Sequence, residues 1–270
     1  MKDDKVKVCG VEISNKNRVI YPKNKITKLD VVNYYSHISK KILPYLKNRL
    51  ISEVRVHGDF SSGKFFKKHP QTNQDVERFY INKSKTSKNE YFYIKNKKQL
   101  INEVQLGAVE FHIWNSTIDN INYPDYMIFD LDPDEKMNIK NLQKAVLIIK
   151  KFLTKLKLTS FLKTSGGKGY HIFVKVSNLT TKKVSNLSKQ IALMLENTYP
   201  DLFITNMSKE KRKGKIFIDY LRNKKGATCV APYSLRLNKS ASISYPISYK
   251  NLQNFKPNEV NILNYKNFKK

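Results

Sequence analysis

The amino-acid sequence predicts an α+β (mixed α/β) fold for these 270 residues. Two long segments, 139–156 and 181–198, carry apolar residues at helical spacing and predict amphipathic helices. Short apolar runs, of which 126–132 is the clearest, have the length and composition of buried strands. Because helices and strands follow one another without strict alternation, their order favours a mixed architecture.

The remaining elements follow from local signals. Thr27 and Asp30 have the spacing of a capping box, which predicts that a helix begins there and continues to Leu46. Residues 97–104 predict a further short helix. The other segments expected to contain strands are 6–21, 50–68, 109–114, 161–164, 171–176 and 216–221.

The chain length suits one large domain with a sizeable core. We expect a single domain over residues 10–250, followed by a polar, basic tail at 251–270. The Pro- and Asn-containing stretch 115–125 is the expected seam inside this domain. It separates an N-terminal lobe, about 1–120, from a lobe at 121–250 that carries the chemistry.

The composition narrows the function classes. The 51 Lys and Arg residues exceed the 22 Asp and Glu residues, and the charge of +29 favours a polyanionic partner such as nucleic acid. A coding bias toward Lys, Asn and Ile is an equally weighted source of this excess. Cys9 and Cys229 are the only cysteines, which excludes a disulfide framework and a Cys-based zinc site. No stretch resembles a signal peptide or a membrane span, so a cytoplasmic protein is expected.

Two aspartates interrupt an apolar run. Asp130 and Asp132 follow residues 126–129 directly, and in a strand they lie on the same face. Adjacent carboxylates repel each other, so a cation is expected between them, and oxygen ligands suit Mg²⁺ or Mn²⁺. Asp-x-Asp alone supports this only weakly, because an Asp-Pro turn that ends a strand has the same pattern.

A glycine-rich turn follows, with the sequence TSGGKGYH at residues 164–171. Its glycines let backbone N–H groups approach an anion closely, while Lys168 supplies charge and Ser165 and His171 supply hydrogen bonds. The segment lacks the P-loop signature, and a simple hairpin turn is the structural alternative. The flanking Ser and His favour a phosphate-binding turn.

A third carboxylate, Asp219, interrupts another apolar strand and would complete a two-metal nucleotidyl-transfer site. A solvent-facing strand edge is the alternative. The basic segment 209–215 lies just before it, and this position favours phosphate contact over a merely solvated charge run. His112 lies in the apolar strand 109–114, where a histidine is more often a core residue than a catalytic one.

The order of these motifs, DxD, then SGGKGYH, then one Asp in a strand, is more specific than any of them alone. It resembles the archaeo-eukaryotic primase superfamily. Further segments look like the polymerase domain of bacterial ligase D, a family that fills gaps during non-homologous end joining: NKNRVIYP at 15–22, ITK at 26–28, FF at 65–66, EFH at 110–112, FDLDP at 129–133 and APYSLR at 231–236. The resemblance covers about residues 10–250. It implies a primase-polymerase fold with central mixed or antiparallel sheets, flanking helices and an RRM-like catalytic core.

The resemblance implies a template-dependent nucleotidyltransferase that prefers ribonucleotides and works with two divalent ions, Mn²⁺ or Mg²⁺. Asp130, Asp132 and Asp219 would hold these ions. The residues implied in nucleotide binding are His112, Ser165, Lys168, His171, Arg212, Lys215 and Arg236. Arg222 stands where the resemblance implies a polar residue, so no role is assigned to it.

The resemblance also implies DNA contacts. Arg18 and Lys28 match two basic positions that grip the 5′-phosphate at a gap or break. Phe65 and Phe66 match an aromatic pair that stacks near the template base, with plain core packing as the close alternative, and Lys68 joins this set. The implied partners are gapped or broken DNA with a 5′-phosphate, NTP or dNTP, a separate DNA ligase and Ku, in a bacterial cytoplasm near the nucleoid.

Two other functions share these motifs. A replicative or plasmid-type primase would make primers de novo, but it meets no 5′-phosphate, so the Arg18 and Lys28 pair favours break repair. A non-catalytic nucleic-acid-binding module would tolerate loss of the three carboxylates, all of which are present.

Overall fold

The structure is a computed structural model that describes residues 5–59, 61, 63–81, 86 and 89–268. The described chain divides into two compact units. Unit 1 contains the described residues up to Trp114 together with Val230–Ile243 and Asn261–Tyr265, and unit 2 contains Asn115–Cys229, Ser244–Val260 and the described residues from Lys266. The expected domain and lobe bounds stay a prediction; residues 1–4 of the expected first lobe and 269–270 of the expected tail lie outside the described residues.

Four α-helices and a series of short strands make up the described chain. The helices are α1 (Lys28–Leu46), α2 (Lys97–Gln105), α3 (Ile139–Lys155) and α4 (Thr181–Thr198). The strands are β1 (Val6–Val8), β2 (Val11–Ile13), β3 (Val19–Tyr21), β4 (Ile26–Thr27), β5 (Ile51–Val56), β6 (Lys64–Lys67), β7 (Glu77–Tyr80), β8 (Glu90–Tyr93), β9 (Ala108–Trp114), β10 (Tyr126–Pro133), β11 (Ser160–Thr164), β12 (Tyr170–Lys175), β13 (Phe203–Ile204), β14 (Ile216–Asp219), β15 (Thr228–Val230) and β16 (Pro246–Ile247).

Unit 1 is built around β9, β5 and β6, which are consecutive strands of a four-stranded sheet with the order β15–β9–β5–β6. All six residues of β5 are buried, because this strand lies in the interior of the sheet. The predicted capping box begins α1: Thr27 Oγ1 accepts the N–H of Asp30 at 3.2 Å, and Asp30 Oδ2 accepts the N–H of Thr27 at 2.8 Å. Three further antiparallel pairs, β1–β2, β3–β4 and β7–β8, complete the strands of this unit.

Unit 2 is built around a six-stranded sheet with the order β13–β14–β10–β12–β11–β16. Its pairs are antiparallel except β13–β14, which is parallel. The side chains of Met127, Phe129 and Leu131 on β10 join the apolar core with residues of α3 and α4. Because side chains alternate along a strand, Asp130 and Asp132 lie on the opposite face of the sheet.

The segment expected as a polar tail contributes to the packing of both units. Leu252 is buried in the unit 2 core, and Ile262, which belongs to unit 1, is 8% exposed. Two short 3₁₀ segments, Tyr249–Asn254 and Tyr265–Asn267, lie in this part of the chain. Within the described residues, no helix combines the length and the apolar character that crossing a membrane requires.

Candidate active site

Four strands of unit 2 place polar side chains in one row across the sheet. Lys163 on β11 is the register partner of His171 on β12. His171 is also the partner of Asp130 on β10, and Asp130 is the partner of Asp219 on β14. Directly opposed residues of antiparallel strands share a face, and Asp132 lies two residues along β10 on that same face. The register therefore brings the three predicted carboxylates and His171 together.

Asp130 is buried, and positive groups surround its carboxylate. His171 Nε2 lies 3.1 Å from Oδ1, and Arg222 Nε lies 3.4 Å from Oδ2. Burial raises the pKa of Asp130, but His171, Arg222 and Lys163 lower that pKa by more, so it lies well below its ordinary value. This carboxylate is ionised at neutral pH despite its burial.

Arg222 lies between two of the carboxylates. Its Nε is 3.2 Å from Asp219 Oδ2 as well as 3.4 Å from Asp130 Oδ2, without an aligned hydrogen bond to either. The charge of the guanidinium offsets the repulsion between the two opposed aspartates. The side chain of Arg222 is 41% exposed, so it can leave this position toward solvent.

The compensation of Asp132 is weaker, because the charges of His171 and Arg222 lower its pKa by less than the other groups raise it. Burial and the negative charge of Asp130 raise the pKa of Asp132 to about 6. The pKa of Asp219 is also raised, because burial and the Asp130 charge outweigh the effect of Arg222. A cation close to all three carboxylates would lower the pKa values of Asp132 and Asp219. The site is therefore an anionic cluster whose negative charge the surrounding positive side chains balance only in part.

The donor set fits a hard divalent ion. Three carboxylates on one sheet face offer the oxygen ligands that Mg²⁺ and Mn²⁺ prefer, and water and phosphate oxygens can complete the coordination. Among the described residues, no three His, Cys, Asp or Glu side chains converge as a ready-made metal centre. Arg222 is the group that lies between Asp130 and Asp219.

The glycine-rich turn between β11 and β12 is held by its own serine. Ser165 Oγ accepts the N–H groups of Gly167 at 3.0 Å and Gly169 at 3.2 Å. A Cβ on Gly169 would lie 1.7 Å from the carbonyl oxygen of Leu131 on β10, so only glycine allows the turn to approach the strand of the aspartates. Lys168 is exposed, and its Nζ lies 2.5 Å from Glu135 Oε1.

The two predicted residues of the basic segment take different positions. The guanidinium of Arg212 lies over the ring of Phe217 at 3.8 Å, and its Nη2 donates to the carbonyl of Met207 at 2.6 Å. Phe217 is the register partner of Asp132, so Arg212 lies on the side of the sheet that carries the carboxylates. Lys215 is half-buried and directly precedes β14.

In unit 1, Glu110 holds two predicted site residues together. Its Oε2 lies 2.8 Å from His112 Nε2 and 3.1 Å from Arg236 Nε, and its Oε1 accepts the N–H of Leu237 at 2.7 Å. Burial raises the pKa of Glu110, but these partners lower it by more, to about 2. Glu110 therefore stays ionised and orients both the imidazole and the guanidinium.

The aromatic pair on β6 is not part of the core. Phe65 is 38% and Phe66 is 47% exposed, which excludes plain core packing as the reason for the pair. The Phe65 ring stacks on His57 with centroids 4.8 Å apart. The Phe66 ring meets His112 edge to face at 5.4 Å, and Lys68 Nζ lies 5.7 Å from the Phe66 centroid. Both rings therefore have neighbours within the protein and remain partly exposed to solvent.

Arg18 and Lys28 lie side by side in unit 1. The N–H of Lys28 donates to the carbonyl of Arg18 at 2.8 Å, and Lys28 Nζ donates to the carbonyl of Ser14 at 2.9 Å. Burial and the charge of Arg18 lower the pKa of Lys28 to about 8. Arg18 Nε is buried without a hydrogen-bond partner among the described residues. Arg18 Nη1 donates to the carbonyl of His57 at 2.5 Å, so the two positive side chains lie close together with backbone carbonyls as partners.

A sequence model of the family described as LigD, primase-polymerase domain, matches residues 27–269. The chain belongs to this family. The multifunctional non-homologous end joining protein LigD of Pseudomonas aeruginosa is 32% identical over 241 residues, which cover 88% of this chain and 29% of that protein. The bifunctional non-homologous end joining protein LigD of Bacillus subtilis is 29% identical over 247 residues, which cover 90% of this chain and 39% of that protein. The chain spans between 29% and 39% of the length of these relatives.

A solved structure shows the same fold. The polymerase domain from Mycobacterium tuberculosis ligase D, in complex with DNA, matches with a TM-score of 0.84 and 24% identity over 93% of this chain and 91% of that chain. The family and the mixed α/β primase-polymerase fold predicted from the sequence are thus confirmed. As a LigD primase-polymerase domain, the chain is a nucleotidyltransferase of the polymerase type that depends on divalent metal ions, as predicted.

Sequence reasoning missed three charged residues of this LigD primase-polymerase domain. Glu110 and Lys163 are single charges inside apolar strands, the signal that identified Asp219, and this signal could have found them. Arg222 follows β14 in the 3₁₀ segment Leu221–Asn223, and nothing in its sequence neighbourhood shows that it folds back to the carboxylates.

Proposed function

We propose that this chain is a template-dependent polymerase that fills gaps and extends ends at DNA breaks in non-homologous end joining, with a preference for ribonucleotides. The observation that carries the proposal is the register of β10 and β14, which puts Asp130 opposite Asp219 and Asp132 on the same face. End joining is the activity named for the relatives, and a DNA complex is recorded for the structural match. A DNA ligase and Ku are the partners that this function implies.

We propose that Asp130, Asp132 and Asp219 hold two divalent ions, Mn²⁺ or Mg²⁺. Such ions, when bound, supply Lewis acidity that lowers the pKa of a primer 3′-hydroxyl and neutralises charge on a leaving pyrophosphate. The low pKa of Asp130 keeps one ligand ionised at neutral pH. Arg222 would have to withdraw from Asp130 and Asp219, and its exposure allows that movement.

The triphosphate would be recognised by the positive groups of unit 2. Lys168 is exposed at the glycine-rich turn, and its surface pair with Glu135 is weak enough to exchange for phosphate. Ser165 acts by shaping the turn, since its hydroxyl accepts two turn N–H groups. Arg212 and Lys215 would add positive charge beside β14. The predicted phosphate contact of His171 stays a prediction, because both ring nitrogens already have protein partners.

Unit 1 would supply nucleotide and DNA contacts of its own. Arg236 and His112, oriented by Glu110, would bind the nucleotide, with His112 beside the sugar. The exposed rings of Phe65 and Phe66 would stack on a template base, and Lys68 would contact the DNA. Arg18 and Lys28 would bind the 5′-phosphate, since these two positive side chains lie side by side.

Primer extension on a gapped duplex tests this proposal. We expect extension that requires a template and a divalent ion, is faster with ribonucleotides than with deoxyribonucleotides, and is stimulated by a 5′-phosphate at the gap. A comparison of Mn²⁺ with Mg²⁺ identifies the more effective ion. Synthesis on a template without a primer would instead favour the primase alternative, and tight DNA binding without any synthesis would favour a non-catalytic module.

The 5′-phosphate assignment has its own test. Arg18→Met combined with Lys28→Met should remove the preference for phosphorylated gaps, whereas the exposed Lys23→Met should keep it. Each lost phosphate contact should also reduce the salt dependence of binding by about one unit of slope. Equal affinity of the wild-type protein for phosphorylated and unphosphorylated gaps would remove the assignment.

A further inference from the structure

Three buried tyrosines of unit 1 direct their hydroxyls toward one short stretch of backbone. This stretch, residues 233–236, ends at Arg236, and we call it the arginine segment. The tyrosines lie on β3 and α1, and each is 2% exposed or less: Tyr21, Tyr34 and Tyr35. A buried phenol hydroxyl needs a hydrogen-bond partner, and each of these three has one in the arginine segment.

The arginine segment begins in a strained turn. The N–H of Ser234 donates to the carbonyl of Ala231 at 3.1 Å, and Tyr233 inside this turn has a φ of 68°. Glycine is the residue that usually takes a positive φ in a β-turn, so a tyrosine there costs free energy that its surroundings must offset. Tyr34 Oη donates to the carbonyl of Tyr233 at 2.7 Å and contributes to this offset.

The other two hydroxyls hold the end of the segment that carries the guanidinium. Tyr35 Oη accepts the N–H of Leu235 at 2.9 Å and donates to the carbonyl of Val109 on β9 at 2.6 Å. Tyr21 Oη donates to the carbonyl of Arg236 at 3.0 Å. The backbone is therefore held on both sides of the arginine Cα, and this fixes the direction in which the side chain leaves the backbone.

We propose that the hydroxyls of Tyr21, Tyr34 and Tyr35 are positioning groups that hold the arginine segment so that the Arg236 guanidinium meets the incoming nucleotide. The inference rests on the proposed nucleotide-binding role of Arg236. Because the tyrosines are buried, they act through the backbone of the segment. Glu110 lies 3.1 Å from Arg236 Nε, so different groups fix the side chain and the backbone of the arginine. A binding group that is held in place before the ligand arrives loses less conformational entropy on binding.

A purely structural role is the alternative, in which the hydroxyls only stabilise unit 1. Loss of one hydroxyl would then lower the free energy of unfolding and leave the nucleotide affinity of the folded protein unchanged. The two interpretations differ in their dependence on the guanidinium. A positioning group has no effect on affinity once the group that it positions has been removed, and a double-mutant cycle measures this dependence.

Nucleotide affinity of folded variants tests the proposal. Tyr21→Phe and Tyr34→Phe each remove one hydroxyl and keep the ring. We expect KM for the incoming ribonucleotide on a gapped duplex to rise about tenfold with little change in kcat, because a misplaced binding group weakens ground state and transition state alike. The Kd for ATP opposite a template thymine, measured by calorimetry with Mn²⁺ and a primer that ends in a dideoxynucleotide, should rise by the same factor.

Tyr245→Phe is the matched control. Its hydroxyl is also buried and donates to a backbone carbonyl, that of Phe268 in unit 2, at 2.8 Å. This variant loses a hydrogen bond of the same kind and should keep the wild-type KM and Kd. Urea midpoints establish that all variants are folded under the assay conditions. An equal rise of KM in Tyr245→Phe, or wild-type KM in both Tyr21→Phe and Tyr34→Phe, would overturn the inference.

The combination with Arg236→Met separates positioning from stability. Arg236→Met alone should raise KM by at least the factor seen in the tyrosine variants, and the addition of Tyr34→Phe should raise it no further. A second tenfold rise in the double variant would contradict the positioning role. Wild-type KM and Kd in Arg236→Met would contradict the nucleotide-binding role of Arg236, and the inference with it. A raised KM in Arg236→Met beside wild-type values in both tyrosine variants would contradict the positioning role alone.

Discussion

The two units contain buried charge clusters of similar composition and different access to solvent. The unit 1 cluster consists of Glu53, Arg55, Lys67, Gln74 and Glu103, all 8% exposed or less. The unit 2 cluster consists of Asp130, Asp132, Asp219, Arg222, His171 and Lys163. Each cluster combines carboxylates with one arginine and one lysine. Only the unit 2 cluster has an arginine that reaches solvent.

The charged groups of the unit 1 cluster are paired with one another or with Gln74. Arg55 donates to Glu53 at 2.8 Å and also pairs with Glu103. Burial and the charge of Glu53 raise the pKa of Glu103 to about 9, so this carboxyl is protonated at neutral pH. Lys67 donates to Gln74, which donates to Glu103. These contacts join β5, β6 and α2, and the cluster is structural.

The unit 2 cluster is built from similar groups but keeps its carboxylates available. Asp130 remains ionised, and the guanidinium beside it is 41% exposed. Under the proposed function, an ion that enters from solvent would replace the arginine without unfolding the strands. The number of carboxylates is similar in the two clusters, but only the arginine of the unit 2 cluster reaches solvent. Solvent access of the arginine therefore distinguishes a cluster that can exchange ligands from one that only stabilises the fold.

Removal of one carboxylate should have the largest effect. We expect Asp130→Asn and Asp219→Asn to lower primer extension about a thousandfold, because loss of metal-ion stabilisation costs several kcal/mol in the transition state. DNA affinity in a filter or anisotropy assay should remain near the wild-type value. Asp201→Asn, an exposed carboxylate outside the cluster, is the control. Extension at the wild-type rate by both variants would show that the unit 2 cluster is structural as well.

The next effect concerns the unit 1 cluster. Arg55→Met leaves Glu53 without its buried partner, so we expect a loss of about 3–5 kcal/mol in the free energy of unfolding. The urea midpoint measures this change. Arg222→Met should shift the midpoint far less, because its pairs are partly exposed and screened by solvent. Equal destabilisation by the two substitutions would remove the distinction between the clusters.

Arg222→Met should also change ion binding. The guanidinium occupies the space between Asp130 and Asp219, so its removal should tighten Mn²⁺ binding about tenfold, or about 1.4 kcal/mol. Calorimetry or manganese paramagnetic resonance measures the affinity. The exposed neighbour Lys224→Met has the same change in net charge and should bind Mn²⁺ as the wild-type protein does. Weaker binding in Arg222→Met would mean that the arginine supports the ion instead of competing with it.

The sequence predicted the elements of the catalytic sheet well because their signals are local. Period-two alternation placed Asp130 and Asp132 on one face, and the capping box of Thr27 and Asp30 began α1 where the structure has it. The helix expected at 139–156 is observed as Ile139–Lys155. These features depend on neighbours within a few residues along the chain.

The contacts that neutralise the site were harder to predict because they depend on register. Lys163 meets His171 only because β11 and β12 pair with these residues opposite each other, and a shift by one residue would turn Lys163 into the apolar core. Arg222 depends on a turn of the chain after β14. Glu110 meets Arg236 across 126 positions of sequence, a distance at which no periodicity carries information.

The smallest expected effect is a pH dependence that separates the clusters once more. Burial and the charge of Asp130 raise the pKa of Asp132 to about 6. Because an ion binds the deprotonated carboxylate, Mn²⁺ affinity should rise up to about tenfold per pH unit below pH 6 and level off above it.

The free energy of unfolding should depend on pH with the opposite sign. The native carboxyl holds its proton more tightly than the unfolded one, so its contribution to the free energy of unfolding falls between about pH 4 and 6 and is constant above. Asp132→Asn should abolish the pH dependence of Mn²⁺ affinity and remove the Asp132 contribution to the pH dependence of folding. Glu103, whose pKa is raised to about 9, should not affect Mn²⁺ affinity, but it should lower the free energy of unfolding as the pH rises from about 4.5 to about 9. Mn²⁺ affinity that is flat from about pH 5 to 7 in the wild-type protein would show that Asp132 is already ionised, and hence that the unit 2 cluster is as fully compensated as the unit 1 cluster.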